Sequence, residues 1–400
     1  MRKHKSDRAI AVLTFVLLAV GLVVIFAIGP QRANFMNSAY GVNYSTNYFF
    51  VHQLISVTLS VVAFIFAFRL PYDVLRKYSK ILVFTGLGLC ALLAGLSLIG
   101  SSLASCQLGG CRWFNLGPLG GFQPAEFLKL GLVLYLAQLA ARYKKEGKLE
   151  SRDFLQPYAI VSILALIFIV ILQKDLGTGI AVVAIVLSIL YMSGIKIQYF
   201  LTALGIIFAA GIVSIITSPH RMERIFTFSG EGSSDDTYHI ENAEMAIGTG
   251  GLFGVGIGNS VQATGYLPES INDSVFAVMG ETFGFVGLSA IVAIFAVLLS
   301  RVLKVANKSG TERGLVAIGI FAWIGTQMVV HIAAMTGLVP LTGITLPLLS
   351  YGGTSMMFVS FSLGLILQLS CYTGREVNNE DISSRRGLRG AYYSGRRGRA

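Results

Sequence analysis

The sequence predicts an all-α integral membrane protein of about ten transmembrane helices, with both termini cytoplasmic and a large extracytoplasmic loop between the seventh and eighth helices. Three observations lead there. Hydrophobic residues make up 54% of the 400 and charged residues only 13%, and the mean hydropathy is +0.70, far from soluble-domain averages. Uncharged runs long enough to cross a hydrocarbon core, which takes about 20 residues, recur along the chain. Basic residues are segregated into alternate connections, as expected when Lys and Arg are retained on the cytoplasmic side.

The runs fall near 9–29, 49–68, 81–100, 154–172, 176–195, 198–218, 282–300, 314–336 and 352–373. A tenth, near 124–141, is interrupted by Glu126 and Lys129 but is otherwise apolar. The first run has no small-residue cleavage motif at its end, so it reads as a retained span and not as a cleaved signal. With ten spans and both ends inside, the cytoplasmic segments 2–8, 69–80, 142–152, 196, 301–313 and 375–399 hold 25 of the 31 Lys and Arg residues. A nine-span arrangement scrambles this segregation. The net charge of +11 then reflects topology and attraction to anionic lipid headgroups, and does not argue for nucleic acid. Residues 1–373 read as a single polytopic membrane domain. Residues 374–400, rich in Arg, Gly and Ser, read as a basic disordered cytoplasmic tail.

The unusual sequence lies in the connections assigned to the outer side. Cys106 and Cys111 follow the third span, where oxidation is possible, and the spacing leaves open whether they pair. Next comes "RWFNLGPLGGFQPAEFLKL", Arg112 to Leu130. "LQKDLGT", Leu172 to Thr178, is a hairpin with almost no loop that puts Lys174 and Asp175 at the outer membrane surface. The loop from about Pro219 to Asn272 contains "IGTGGLFGVGIGNS". Its glycines lack the strand before and the acidic residue after that a dinucleotide fingerprint needs, so they read as sites of tight turning or close approach. "GYLPESINDSVFAVMGETFGFVG", Gly265 to Gly287, places Glu269, Asp273 and Glu281 at the mouth of an apolar helix. "MTGLVPLTGITLPLLSYGGTS", Met335 to Ser355, is apolar, but Pro340, Pro347 and the Gly352–Gly353 pair forbid a continuous helix. Non-helical apolar backbone at membrane depth is tolerated where it lines a cavity or is buried in protein.

In this order, these segments resemble the SEDS family (shape, elongation, division and sporulation) of peptidoglycan polymerases, over everything but the tail. The family's R-W-x-x-L-G, Q-P-S-E, Q-P-D-L-G-T, G-x-G-x-G-N-S, L-P-E-x-x-x-D and S-Y-G-G-[ST]-S motifs all have counterparts here. "GNSVQ" and "GITLPLLSYGG" lean towards the division branch over the elongation branch. The resemblance implies a glycosyltransferase at the outer face of the bacterial cytoplasmic membrane, at the division septum. It implies lipid II as substrate and undecaprenyl pyrophosphate as leaving group, with a class B penicillin-binding protein and other divisome proteins as partners. Departures are the "DSVF" after Asn272, Ala263 after "GNSVQ", Thr282 after Glu281, Lys174 for a Pro, and His331 for an Asn.

The reaction's needs can be set against the residues. A sugar hydroxyl is a poor nucleophile, so a carboxylate must take its proton, a contribution of roughly 100- to 10,000-fold. A pyrophosphate leaves without an acid to protonate it, unlike the aglycone of an ordinary glycosidase. The resemblance assigns the catalytic role to Asp273, whose competing reading is a helix cap at about Ser274. Glu269 is placed to raise Asp273's pKa or orient substrate. Arg221 and Arg224 are assigned to the pyrophosphate, because Arg offers a planar fork of donors, with Arg112 and Lys174 next. Glu281 is read as structural or coupling, with Lys129 and Arg112 as candidate partners, and Glu126 and Lys129 face one side of their helix at i, i+3. A divalent cation is a conceivable helper, but no metal-ligand spacing is visible. Two other readings stay open: a lipid II flippase, which needs a hydrophilic path between helices, and a non-catalytic scaffold for the penicillin-binding protein. An elongation role is the alternative to division.

Overall fold

The computed structural model describes residues 6–107, 110–117, 120–228, 234–264 and 266–372. The tail expected over 374–400 lies outside these residues. Among them nine helices are long and apolar enough to cross a membrane, and a tenth apolar helix, Leu176–Met192, is shorter. The chain is a multi-pass membrane protein.

In order the helices are α1 (Arg8–Tyr40), α2 (Tyr48–Arg69), α3 (Tyr72–Leu98), α4 (Pro124–Lys145), α5 (Arg152–Leu166), α6 (Leu176–Met192), α7 (Ile197–Ile216), α8 (Pro219–Phe228), α9 (Ser234–Gly250), α10 (Val275–Lys308), α11 (Thr311–Met335) and α12 (Gly353–Ser370). Local signals explain several boundaries. Asp7 caps α1 by accepting from the Ala9 N–H, and Gly41 ends it in the left-handed conformation at φ 66°, as helix ends favour. Pro124 begins α4, where its missing N–H costs nothing, and Arg142, Lys144 and Lys145 fill the last turn. A π-helical stretch over Ile167–Leu172 continues α5.

The expectation of an all-helical chain needs one addition. Between α3 and α4 the chain forms a small antiparallel sheet in the order β1 (Ala104–Gln107), β2 (Gly110–Asn115) and β3 (Gly121–Phe122). Cys106 stands opposite Cys111 and the two are joined in a disulfide. The long Gly-rich connection after α7 is also more ordered than a loop, because α8 and α9 occupy its first half. The span expected over 282–300 begins earlier, at Val275.

Helix α4 has the lowest hydropathy of the nine, yet 83% of its apolar window is buried inside the protein. It is enclosed by other helices and not by lipid, which is why the chain can carry Glu126 and Lys129 there. Small residues bring neighbouring backbones together, as membrane bundles require. A β-carbon at Gly131 would lie 3.0 Å from the Val83 backbone in α3, and one at Gly364 of α12 only 2.2 Å from the Phe64 carbonyl oxygen in α2. Helix α7, by contrast, has no buried residue.

Candidate active site

Residues 336–352, between α11 and α12, contain no helix, as Pro340 and Pro347 anticipate. Residues 341–344 form a wall pinned from three directions. The Leu341 carbonyl accepts from Arg224 Nη1 of α8 at 2.9 Å. The Ile344 carbonyl lies 2.7 Å from His331 Nδ1 of α11, which donates to it. Gly177, in the first turn of α6, sits so close that a β-carbon would fall 2.9 Å from the Thr342 carbonyl oxygen.

Asp273 faces this wall. A β-carbon on Gly343 would stand 3.5 Å from Asp273 Oδ2 and 3.8 Å from Arg112 Nη1, so the carboxylate and the guanidinium flank one glycine whose φ is +69°. Arg112 reaches this position from β2, and its Nη2 donates to the Lys174 carbonyl at 3.0 Å. Asp273 is half-buried, and its carboxyl is pushed up to about 7, first by burial and then by the negative charge of Glu269. Arg112 pulls it back down, Asp175 adds to the rise, and Arg224 pulls down more weakly. Five side chains from separate parts of the sequence thus form one electrostatic cluster around Asp273: Arg112, Asp175, Arg224, Glu269 and Asp273 itself.

The helix-cap reading of Asp273 does not describe its geometry. Ser274 occupies the N-cap of α10 and makes no side-chain cap bond. Its hydroxyl instead donates to the Pro268 carbonyl at 2.8 Å. Glu269 is exposed and has φ 45°, a left-handed conformation uncommon outside glycine. Its carboxylate accepts from Asn272 Nδ2 at 2.7 Å and lies 3.7 Å from Arg32.

Other sequence candidates fall elsewhere. Arg221 donates through Nη1 to the carbonyl and hydroxyl of Ser214 and through Nη2 to the Val170 carbonyl. It therefore ties α8 to α7 and to the end of α5, and it is not among the charges that act on Asp273. Lys174 is exposed, with φ 53°, and offers the cluster its carbonyl and not its ammonium. Glu126 and Lys129 pair at 2.7 Å deep in α4, and the ammonium lies 4.6 Å above the Trp323 ring.

Glu281 corrects an expectation, because its partner is neither Lys129 nor Arg112. The fully buried carboxylate accepts from the Ser260 hydroxyl, from the Val261 N–H at 2.8 Å and from the Gln262 N–H at 3.3 Å. Two of these three donors are backbone N–H groups, which carry no sequence signal. Close by, α10 breaks at Gly284, φ 67° and ψ −171°. Four backbone groups around the break are taken up by the Gly-rich connection. Val255 and Gly256 N–H donate to the carbonyls of Glu281 and Thr282, while Phe285 and Val286 N–H donate to those of Gly251 and Leu252. A β-carbon at Gly254 would lie 2.2 Å from the Thr282 carbonyl oxygen, so the close approach anticipated for these glycines is backbone against backbone.

Among the described residues no group of three or more His, Cys, Asp or Glu side chains is placed to hold a metal ion. The arrangement sets a carboxyl raised to about 7 beside two guanidinium groups on one wall.

The family model for cell cycle proteins of the FtsW, RodA and SpoVE type matches residues 8–375. The chain belongs to this family. The SEDS protein is 32% identical over 377 residues to "Stage V sporulation protein E" of Bacillus subtilis (strain 168), covering 93% of this chain and 99% of that one. It is also 32% identical over 373 residues to "Probable peptidoglycan glycosyltransferase FtsW" of Coxiella burnetii (strain RSA 493 / Nine Mile phase I), covering 92% and 96%. A chain of the solved structure "Structural coordination of polymerization and crosslinking by a peptidoglycan synthase complex" shares its fold with a TM-score of 0.71, at 24% identity over 93% of this chain and 99% of its own.

Sequence reasoning leaves three members of this candidate site aside. The sequence "LQKDLGT" puts Asp175 at the outer membrane surface. It is instead a buried N-cap whose carboxylate accepts from the Thr178 N–H and hydroxyl and from Gln123 Nε2. Gly343 and His331 give no chemical signal in the sequence, because one supplies space and the other a bond to a carbonyl.

Proposed function

We propose that the protein polymerises lipid II into glycan strands, with Asp273 as the general base. The observation that carries this reading is the half-buried Asp273 carboxyl, raised to about 7 and sharing the Gly343 wall with Arg112. A base is most effective when its pKa lies near the operating pH. In the proposed step Asp273 takes the proton of the acceptor GlcNAc 4-hydroxyl as that oxygen attacks the anomeric carbon of the growing chain's MurNAc. The C1–O bond to pyrophosphate breaks on the opposite side, the α linkage becomes β-1,4, and the electron pair leaves on undecaprenyl pyrophosphate. Arg112 and Arg224 stabilise that anion, and Arg favours such roles through its fork of donors. The names of the relatives support glycosyl transfer.

The cluster lies at the end of the bundle formed by the C-terminal ends of α3 and α11 and the start of α4 and α12. The Lys and Arg segregation supports placing that end on the extracytoplasmic side, with both termini in the cytoplasm. A class B penicillin-binding protein is the proposed partner, supported by the complex in which a chain of the same fold occurs. "GNSVQ" supports a division role at the septum over elongation.

The test is in vitro. Purified protein, alone and with its cognate penicillin-binding protein, is given labelled lipid II, and wild type is compared with Asp273→Asn. Polymer from the wild type and none from a folded Asp273→Asn is the expected result. Undiminished polymer from the variant moves the base elsewhere. No polymer from either, with lipid II crossing liposomes, supports a flippase, and a dispensable Asp273 with intact partner binding supports a scaffold.

A further inference from the structure

The loop that carries Asp273 is fastened on two sides. On one, the wall segment holds it: Ser350 Oγ donates to the Asn272 carbonyl and Tyr351 N–H to the Ile271 carbonyl, both at 2.8 Å. On the other, His239 of α9 approaches Ser274, the residue after Asp273, with Nε2 2.6 Å from Oγ.

Ser274 Oγ carries one proton, and Oγ also lies 2.8 Å from the Pro268 carbonyl oxygen, which can only accept. Both contacts are hydrogen bonds only when the Ser274 proton goes to Pro268 and His239 supplies the other one from Nε2. The neutral Nε2–H tautomer and the imidazolium both meet this requirement. The bond therefore runs from His239 to Ser274 in either protonation state.

We propose that His239 is a positioning residue for Asp273, donating Nε2–H to Ser274 Oγ and so fixing the 268–274 loop to α9. The proposal rests on the reading of Asp273 as the base. It gives the α8–α9 pair two attachments to the site: α8 presents Arg224 to the wall, and α9 sets where the carboxylate stands. A proton acceptor misplaced by about an ångström loses roughly 100-fold in rate, which is the scale of effect available to such a residue. Its influence on Asp273 passes through Ser274, whose hydroxyl it binds.

The experiment compares His239→Gln, His239→Leu, Ser274→Ala and the His239→Leu/Ser274→Ala double variant with wild type in polymerisation of labelled lipid II. Turnover and apparent KM are measured separately, on protein that elutes as a single folded species. Expected is a loss in kcat of about 10- to 100-fold for His239→Leu with KM nearly unchanged. His239→Gln, whose Nε2 amide donates from a similar reach, keeps its rate within about threefold. The double variant is no worse than the worse single one, since both remove the same bond. The pH at which activity rises stays with Asp273 and is the same in His239→Gln as in wild type.

Wild-type turnover in His239→Leu, a His239→Gln as poor as His239→Leu, or multiplicative losses in the double variant overturns the proposal. Should His239→Leu not fold, Ser274→Ala against Ser274→Thr supplies the comparison from the other partner, with the hydroxyl of Thr expected to restore the rate. Asp273→Asn separates the two ideas. Full activity in Asp273→Asn removes the assigned base, whereas an inactive Asp273→Asn beside a fully active His239→Leu removes only the role of His239.

Discussion

The Val261 N–H donates to Glu281 Oε1 at 2.8 Å, so a carboxylate buried within helix α10 closes a turn that precedes it by 20 residues in the chain. The Ser260 hydroxyl and the Gln262 N–H complete its shell. A buried carboxylate is tolerated when such donors replace its hydration. The same stretch of α10 shares four backbone bonds with residues 251–256 across the break at Gly284, accepting two and donating two. Glu281 and the break together lock the Gly-rich connection onto the bundle.

Glu281→Ala is expected to leave the Ser260 hydroxyl and two N–H groups without acceptors. Each such loss costs about 1–3 kcal/mol, partly offset by removing a buried charge, so a net destabilisation of about 2–4 kcal/mol is expected. Thermal unfolding in detergent measures it. Amide exchange at Val261 and Gln262 should speed up in the variant. An unchanged melting temperature with unchanged exchange would show that this carboxylate does not hold the connection.

The raised pKa of Asp273 predicts opposite pH trends in rate and stability. Its carboxyl moves from an ordinary 3.8 to about 7 in the folded protein. The stability linked to it is complete below the ordinary value and is lost as pH rises through about 7. Polymerisation needs the ionised base, so it should climb over the same window. Initial rates and melting temperatures between about pH 5.5 and 8.5 test both signs. Arg112→Gln removes a charge that lowers this pKa, so the midpoint of the rate profile should move to higher pH. Arg221→Gln, whose guanidinium is spent on Ser214 and Val170, should not move it. A flat profile in the wild type counts against Asp273 as the base.

The spans were legible because hydropathy along a chain reports burial in hydrocarbon directly. The irregular stretch before α12 was legible because Pro340 and Pro347 forbid a helix whatever surrounds them. Asp273 stood out because a carboxylate beside an apolar run has few bland explanations. The break at Gly284 was invisible, since a glycine in "ETFGFVG" looks like any glycine in a membrane helix. What breaks the helix is the supply of backbone partners from residues 251–256, which are distant in sequence. The partners of Glu281 are hidden for the same reason. A search for an opposite charge finds Lys129 or Arg112, whereas the real partners are two N–H groups and a serine. Arg221 and Arg224 differ for a geometric reason: both lie on α8 at i, i+3, yet one faces α7 and α5 and the other faces the wall.

The disulfide yields a prediction about the placement of Arg112. Cys106 and Cys111 cross-link β1 to β2 immediately before Arg112, and Gly110 is packed so tightly that a β-carbon would lie 2.7 Å from the Gln173 carbonyl oxygen. Cys106 is exposed, so a thiol reductant can reach it. Closing a loop of this size contributes about 2 kcal/mol in the chain-entropy account. Cys106→Ser/Cys111→Ser, or reduction with dithiothreitol, should lower the melting temperature and reduce polymerisation by loosening β2. The doubly substituted protein should no longer respond to the reductant. Equal reductant sensitivity in both proteins would place the effect outside this disulfide.

Two glycines in membrane helices make opposite predictions although the sequence gives them the same setting. At Gly364 of α12 a β-carbon would meet the Phe64 carbonyl oxygen at 2.2 Å and the Phe64 carbonyl carbon and α-carbon at 3.0 Å. These are backbone atoms of α2 and cannot swing aside. Accommodating even one methyl group requires the two helices to separate along their most extensive contact, which also contains the bonds from Gln368 Nε2 to the Phe68 and Leu70 carbonyls. Overpacking of this kind costs about 1–3 kcal/mol. At Gly205 of α7 a β-carbon meets nothing within 4 Å, and alanine is the better helix former by about 1 kcal/mol in water. Gly364→Ala should therefore lower the melting temperature in detergent, while Gly205→Ala should leave it unchanged or raise it slightly. If both substitutions shifted stability in the same direction by the same amount, helix propensity and not the approach of α12 to α2 would set the role of Gly364.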